Sequence, residues 1–243
     1  MFNRNVAESC QQISSRQRET GRQLIQDELN LQQGDAILDL GGGTGELSAY
    51  LAELVGQQGK VLGVDSDIDR IKVAQESHKG VNNLSFLEGS TSNFPNMGTE
   101  TYDIVYCSSV PHWVTDKRKA FRNMCSSLKP GGKIVMLYCD RLPTVHDRVY
   151  HELNPENVDA LLFSEETCTA AGFNILKSYE VKARDRVFED GNSLRSFFWA
   201  TTHGVFDPQL MTEDRLASFL CSEAGEIRLS PGENDFYCAM NCN

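Results

Sequence analysis

The feature that most constrains the fold of this chain is a run of glycines at one place: Gly41, Gly42, Gly43 and Gly45 stand directly after the apolar stretch Ala36 to Leu40. Leu47, Leu51 and Leu54 then follow at helical spacing. A buried strand, a glycine turn and a helix in that order bring the backbone close to a ligand at the helix N-terminus, beyond the carboxyl end of the first strand. The pattern does not suit a dinucleotide. Counting from Gly41 and Gly43, the third glycine of that fingerprint falls on Glu46, whose charge repels a pyrophosphate, and no phosphate-loop lysine follows. What stands there is an acid followed by alternate glycines, Asp39, Gly41, Gly43 and Gly45, and a carboxylate at that position suits a cationic ligand.

A second acid, Asp65, closes the strand-like run Val61 to Asp65, one helix and one strand after the glycines. A carboxylate there accepts both hydroxyls of a ribose; the competing reading of Asp65 alone is a helix N-cap. Around these acids, short apolar runs alternate with amphipathic stretches, the mark of βαβ units and a parallel sheet. Ile68, Ile71 and Ala74 form a helix face. Leu84 to Leu87 is a third strand and Asp103 to Ser108 a fourth. Ala120, Phe121, Met124 and Leu128 face inward from another helix, and Lys129-Pro130-Gly131-Gly132 turns the chain into a fifth strand, Lys133 to Cys139.

Past residue 140 the alternation stops. Ser164 caps a helix ending at Gly172, Ile175 to Phe188 reads as one long strand, Asn192 to His203 as a helix, and Asp235 to Asn241 as a last strand. Two strands this late imply an antiparallel addition. The expected architecture is an α/β fold: a Rossmann-like, seven-stranded, mostly parallel sheet with an antiparallel C-terminal strand and helices on both faces. It forms a single domain over 1–243, with a helical lid over 1–30 (Ile13, Leu24, Ile25 and Leu29 inward), a ligand-binding core over 34–139, and acceptor-side helices with the last two strands over 140–243.

The formal net charge of −11 opposes a nucleic-acid backbone and an anionic membrane surface. The start of the chain lacks a signal-peptide core, and Ile134 to Cys139 is far too short to span a bilayer, so a cytoplasmic location is expected. The eight cysteines are scattered without a Cys-x-x-Cys pair, which opposes both a disulfide framework and a structural zinc. No metal is expected.

In order along Gly34 to Cys139, these segments resemble the class I S-adenosylmethionine-dependent methyltransferases. The resemblance rests on the glycine loop, the Asp65 strand end, Phe86-Leu87-Glu88-Gly89-Ser90-Thr91, Tyr102-Asp103-Ile104-Val105-Tyr106-Cys107-Ser108, and Leu128-Lys129-Pro130-Gly131-Gly132-Lys133. It implies S-adenosylmethionine as cofactor. Asp39, Gly41, Gly43 and Gly45 would hold its methionine moiety and Asp65 its ribose. Ser66, Ser90 and Thr91 would stand by the adenine, and Cys107 and Ser108 would line the methionine end.

After the fourth strand, Val110-Pro111-His112-Trp113-Val114-Thr115-Asp116 is similar to the Leu-x-Trp-x-x-Asp stretch of the trans-aconitate, malonyl-carrier and juvenile hormone acid carboxyl methyltransferases. Trp113 would contact the acceptor there, its indole N–H donating to a carboxylate, and Gln17 in Ser14-Ser15-Arg16-Gln17-Arg18 matches a glutamine of the last group. The implied activity is methylation of a small molecule, with a carboxylate oxygen as the sharpest version. A carboxylate is ionised at neutral pH and needs no base, whereas an amine, thiol or phenol benefits from one, His112 first and His203 second. Phe197, Phe198 and Trp199 either wall the acceptor pocket or pack the core. The rival from another class is a cofactor-binding regulatory protein without turnover. Oligomeric state is not legible.

Overall fold

The structure is a computed structural model of the chain, and the residues it describes are 18–111, 114, 116–139, 168–169, 172–181, 186–188, 190–195, 227–229 and 235–242. They fall into two compact units. The larger comprises Thr20–Asp140, Asp159–Val181 and Asp235–Asn243, and the smaller Met1–Glu19, Arg141–Val158 and Lys182–Asn234.

The larger unit carries the expected sheet. Its strands are β1 (Ala36–Leu40), β2 (Lys60–Asp65), β3 (Leu84–Glu88), β4 (Tyr102–Ser108), β5 (Leu128–Cys139), β6 (Phe173–Val181) and β9 (Asp235–Cys242), in the spatial order β3-β2-β1-β4-β5-β9-β6. The first five pair in parallel, and β9 runs antiparallel to both β5 and β6. Strand order reverses at β1, with β2 on one side and β4 on the other. The crevice beyond the carboxyl ends of β1 and β4 is therefore the topological switch point where such a sheet takes its ligand.

Residues 18–28 are helical (α1), and α2 (Glu46–Val55), α3 (Ile68–Ser77) and α4 (Lys117–Ser127) are the crossover helices. Each exists because an apolar stripe at helical spacing has a sheet face to cover. Leu24, Ile25 and Leu29 of α1 and its end pack with Leu51 and Val55 of α2 against Ile37, Ile104, Tyr106 and Tyr237. On the opposite face, Ala120, Phe121 and Met124 of α4 pack against Leu38, Leu40, Val105, Cys107, Met136 and Met240. Alternation along β1 and β4 sends neighbouring residues to opposite faces, so Asp39 shares the α2 side with Ile37 while Leu38 and Leu40 go to the α4 side.

Several expectations are corrected. The fifth strand begins at Leu128 rather than Lys133: Leu128 already pairs with Tyr102, and the register then shifts across Pro130-Gly131-Gly132 before Lys133 pairs with Ile104. Gly131, at φ 82°, supplies the conformation that this bulge needs. The long strand Ile175 to Phe188 is two strands. β6 stays in the main sheet, while β7 (Arg186–Phe188) pairs with β8 (Ile227–Leu229) in a two-stranded sheet of the smaller unit. The helix expected from Asn192 begins at residue 191 and is capped by Asp190, whose carboxylate accepts from Ser193 N–H at 2.7 Å. Cysteine spacing also misled: Cys125 of α4 and Cys242 of β9 form a disulfide across 117 residues, with Cα atoms 5.8 Å apart. Scattered spacing in sequence says nothing about which elements the sheet brings together. Ser164, Ile13, and the remainder of the 192–203 helix with Phe197, Phe198, Trp199 and His203 lie outside the described residues.

Candidate cofactor and acceptor site

Two backbone hydrogen bonds fold the glycine loop over the end of β2: Gly41 and Gly42 N–H donate to Val64 O at 2.7 and 3.1 Å. Gly41 (φ 84°) and Gly43 (φ 57°) are both left-handed, and the two positions differ in surroundings. A Cβ on Gly41 would strike the Val110 side chain, whereas one on Gly43 would meet nothing within 4 Å. Gly41 thus seats the loop against the start of the acceptor segment, while Gly43 presents bare backbone to open space, as a ligand cradle requires.

Asp65 is 8% exposed at the end of β2. One of its oxygens accepts Gly43 N–H at 2.9 Å and the other accepts Asp67 N–H at 2.9 Å. It is not the cap of α3; that role belongs to Asp67, which accepts from Asp69 and Arg70 N–H. Each Asp65 oxygen retains a lone pair, so the carboxylate ties the glycine loop to β2 and keeps capacity for two hydroxyl donors. The end of β3 is drawn to it as well, since Gly89 N–H donates to Asp65 O at 3.0 Å.

Asp39 is 3% exposed and accepts Ser48 Oγ–H from α2 at 2.6 Å. Burial pushes its carboxyl up from 3.8 to about 6; the Ser48 hydrogen bond opposes the rise, and the nearby negative Asp65 adds to it. Beside it on β4, the Tyr106 hydroxyl is fully buried and finds no partner in hydrogen-bonding geometry among the described residues. Burial first, and then the charge of Asp39, raise that phenol well above its ordinary value, with Ser108 acting against the rise. Two buried carboxylates whose charges interact, one of them driven toward protonation, give this end of the sheet a surplus of negative charge among the described residues. That donor set, with open glycine backbone beside it, fits a ligand bearing an ammonium, a sulfonium and a ribose.

The remaining cofactor candidates sit where their strands end. Ser66 and Ser90 are exposed and Thr91 is half-buried. Ser90 Oγ accepts Ser92 N–H at 3.2 Å, and Thr91 O accepts from Asn123 of α4. Cys107 points away from the α2 side into the α4-side core with no exposure, its thiol pushed up by burial and by Asp39. Ser108 is on the Tyr106 side and half-buried. Sequence reasoning missed Ser48 and Tyr106; the signal for Tyr106 was strand parity, since it pairs directly with Asp39, and for Ser48 helical spacing, since it begins the buried stripe Ser48, Leu51, Ala52 and Val55.

The acceptor segment starts with Ser109, a non-glycine residue at φ 59°, held by its N–H on Leu137 O at 2.8 Å. Left-handed strain of about 1–3 kcal/mol persists where surrounding structure enforces it, and such residues cluster at functional sites. Val114 N–H donates to Pro111 O, and Asp116 caps α4 by accepting Lys119 N–H at 2.9 Å. Gln17, His112 and Trp113 lie outside the described residues. Among the described residues no cluster of His, Cys, Asp and Glu is arranged to hold a metal, and no helix is long and apolar enough to cross a membrane.

A switch-point crevice with a glycine cradle, a ribose-competent acid and a surplus of negative charge defines a Rossmann-like fold built for an adenosyl cation. The profile of the methyltransferase domain family matches residues 31–191. The chain belongs to that family, and its cofactor is S-adenosylmethionine. It is 37% identical over 110 residues to the ubiquinone/menaquinone biosynthesis C-methyltransferase UbiE of Francisella tularensis subsp. novicida; the match covers 44% of each chain. It is 34% identical over 110 residues to the protein of that name from Klebsiella pneumoniae, covering 44% of this chain and 43% of the relative. The chain therefore spans about half the length, or less, of the curated relatives it matches. Among solved structures, YcgJ of Bacillus subtilis superposes with a TM-score of 0.62 at 17% identity, covering 93% of this chain and 99% of that one. A SAM-dependent methyltransferase of Aquifex aeolicus gives 0.52 at 23% identity, covering 66% and 83%.

Proposed function

We propose that the chain moves the methyl group of S-adenosylmethionine onto a small organic acceptor, at a carbon made nucleophilic by a neighbouring ionised oxygen. The observation that carries the donor half is the buried pair Asp39 and Asp65 beside the open backbone of Gly43. The acceptor half draws on the name of the relatives, which describes a C-methyltransferase of ubiquinone/menaquinone biosynthesis. The net charge of −11 favours a small molecule over nucleic acid, and a cytoplasmic location accords with this reading.

When bound, S-adenosylmethionine supplies an electrophilic methyl on a positively charged sulfur. Asp65 accepts from the ribose hydroxyls while Gly43 N–H keeps its carboxylate in place. Asp39, whose carboxyl burial pushes up to about 6, would stand ionised opposite the cation at neutral pH, and the cation would offset the cost of burying that charge. The segment after Ser109 faces the acceptor toward the end of β4, since in-line displacement depends chiefly on orientation. The proton displaced from the ring by methylation would pass to water or to His112.

A second reading keeps the carboxylate oxygen as the methylated atom. It rests on the likeness of Val110 to Asp116 to the small-carboxylate enzymes, with Trp113 and Gln17 donating to the acceptor. A third is cofactor binding without turnover. One experiment separates the three: incubation with methyl-labelled donor and a panel of hydroquinones, phenols, amines and carboxylic acids, followed by release of S-adenosylhomocysteine and the position of the label. Carbon-bound label supports the leading reading and a methyl ester the second. Thermal stabilisation by donor with no labelled product from any acceptor supports the third.

A further inference from the structure

The inward stripe of α4 contains one residue of the wrong kind. Continued one turn toward its N-terminus, the series Met124, Phe121 and Ala120 arrives at Lys117, which is 7% exposed. Because β4 and β5 are parallel and α4 connects them, the start of α4 lies at the carboxyl edge of β4, where the acceptor segment leaves the sheet. Lys117 therefore faces inward at the edge where the donor site lies. Its Nζ donates to Val114 O, in the acceptor segment itself, at 3.0 Å. An ammonium has three protons, and no carboxylate of the described residues stands within ion-pair distance of this one. Asp116, the adjacent acid, is exposed and spent on capping α4. Arg118, Lys119 and Arg122 point outward, and the titratable groups of β4 and β5 in the same core, Tyr102, Cys107 and Tyr138, are buried in it. Burial alone lowers the lysine to about 8.

A buried ammonium without a counter-ion is costly, and an apolar residue at this place in a helix stripe would be the stable choice. We propose that the missing counter-ion is the acceptor: Lys117 binds an anionic oxygen of the molecule to be methylated and so selects acceptors that carry one. The shared chemistry is a single anionic oxygen, either the ionised hydroxyl of a ring or enol, or a carboxylate. With a ring hydroxyl, the charged lysine favours loss of the hydroxyl proton to solvent, and the ring carbon beside that oxygen becomes the nucleophile; no proton is taken by the lysine itself. This inference rests on the donor reading above and narrows its acceptor.

The test uses the full chain saturated with S-adenosylhomocysteine and two calorimetric probes, 1,4-dihydroxynaphthalene and 1-naphthoate, against wild type, K117R and K117M. Wild type should bind at least one probe. K117M should bind it at least tenfold more weakly, with K117R within about threefold of wild type and all three holding S-adenosylhomocysteine equally. Preference for the hydroxyl or the carboxylate probe identifies the oxygen. K117M should unfold at the same temperature as wild type or higher, an outcome that a purely structural lysine would reverse. Affinity of wild type for 1-naphthoate should fall as pH rises through about 8, affinity for the hydroxyl probe should pass through a maximum above pH 8, and K117R should move either profile to higher pH. Equal affinity of wild type and K117M, a pH profile unmoved by K117R, or no binding of either probe by cofactor-saturated wild type overturns the proposal. Loss of affinity for S-adenosylhomocysteine in wild type would instead overturn the donor reading, so the two failures are distinguishable.

Discussion

Asp39 and Asp65 have the same charge at neighbouring strand ends, and the protein uses them differently. Asp65 is tied by backbone donors at 2.9 Å on both oxygens, so D65A removes the anchor of Gly43 as well as the proposed ribose acceptor. Hydrogen bonds to charged groups contribute about 1.5–3 kcal/mol each; donor affinity measured calorimetrically should fall on the order of 100-fold or more. Asp39 acts the other way. A carboxyl raised in the folded state to about 6 from 3.8 destabilises that state wherever it must ionise. The cost is absent below about pH 4, grows between 4 and 6, and is full above 6 at about 3 kcal/mol. Without cofactor, D39N should therefore melt above wild type at pH 7.5, with the difference vanishing near pH 4. With S-adenosylmethionine the order of affinity inverts: wild type binds more tightly, and its affinity rises with pH through about 6 while that of D39N stays flat. Both acids were legible in the sequence because a glycine turn and the end of a second strand fix their places. Lys117 was not read there, although one more helical turn of the stripe would have reached it. A lysine before an apolar face resembles a solvated start of a helix until the sheet is known.

Elements tell a similar story. The first four parallel strands were read within a residue or so of their observed bounds because each ends in a local signal. β5 hid its first residues behind a bulge, since Pro130-Gly131-Gly132 looks like the end of a turn. The break after β6 was invisible because Ile175 to Phe188 keeps a strand-like composition while its second part pairs with β8 instead of β9. Position in the sheet is long-range information: nothing local says that the last strand inserts between β5 and β6. The same insertion sets Cys242 beside Cys125. A disulfide closing a loop of that size constrains the unfolded chain and contributes about 2–5 kcal/mol. Reduction, or C242S, should lower the melting temperature by several degrees, and an unchanged value with and without reductant would show the bond adds nothing. Gly41 couples two elements. G41A sets a Cβ against Val110 at a left-handed φ, so donor affinity should drop together with a stability loss of about 1–3 kcal/mol.

For the whole molecule, the parallel half of the sheet and the donor site are one construction. The order reversal at β1 opens the crevice, the crevice buries two acids, and the acids leave a surplus of negative charge that a cation relieves. That logic was available from composition and motif order. The acceptor half, in which the chain's own residues must choose a substrate, depends on a segment and a lysine whose meaning appears only in three dimensions.

Isothermal titration of the full chain at pH 7.5 with S-adenosylmethionine, S-adenosylhomocysteine and NAD tests the central claim most directly. Both adenosyl ligands should bind, and NAD should produce no signal. Tight NAD binding with no response to either adenosyl ligand would contradict the account.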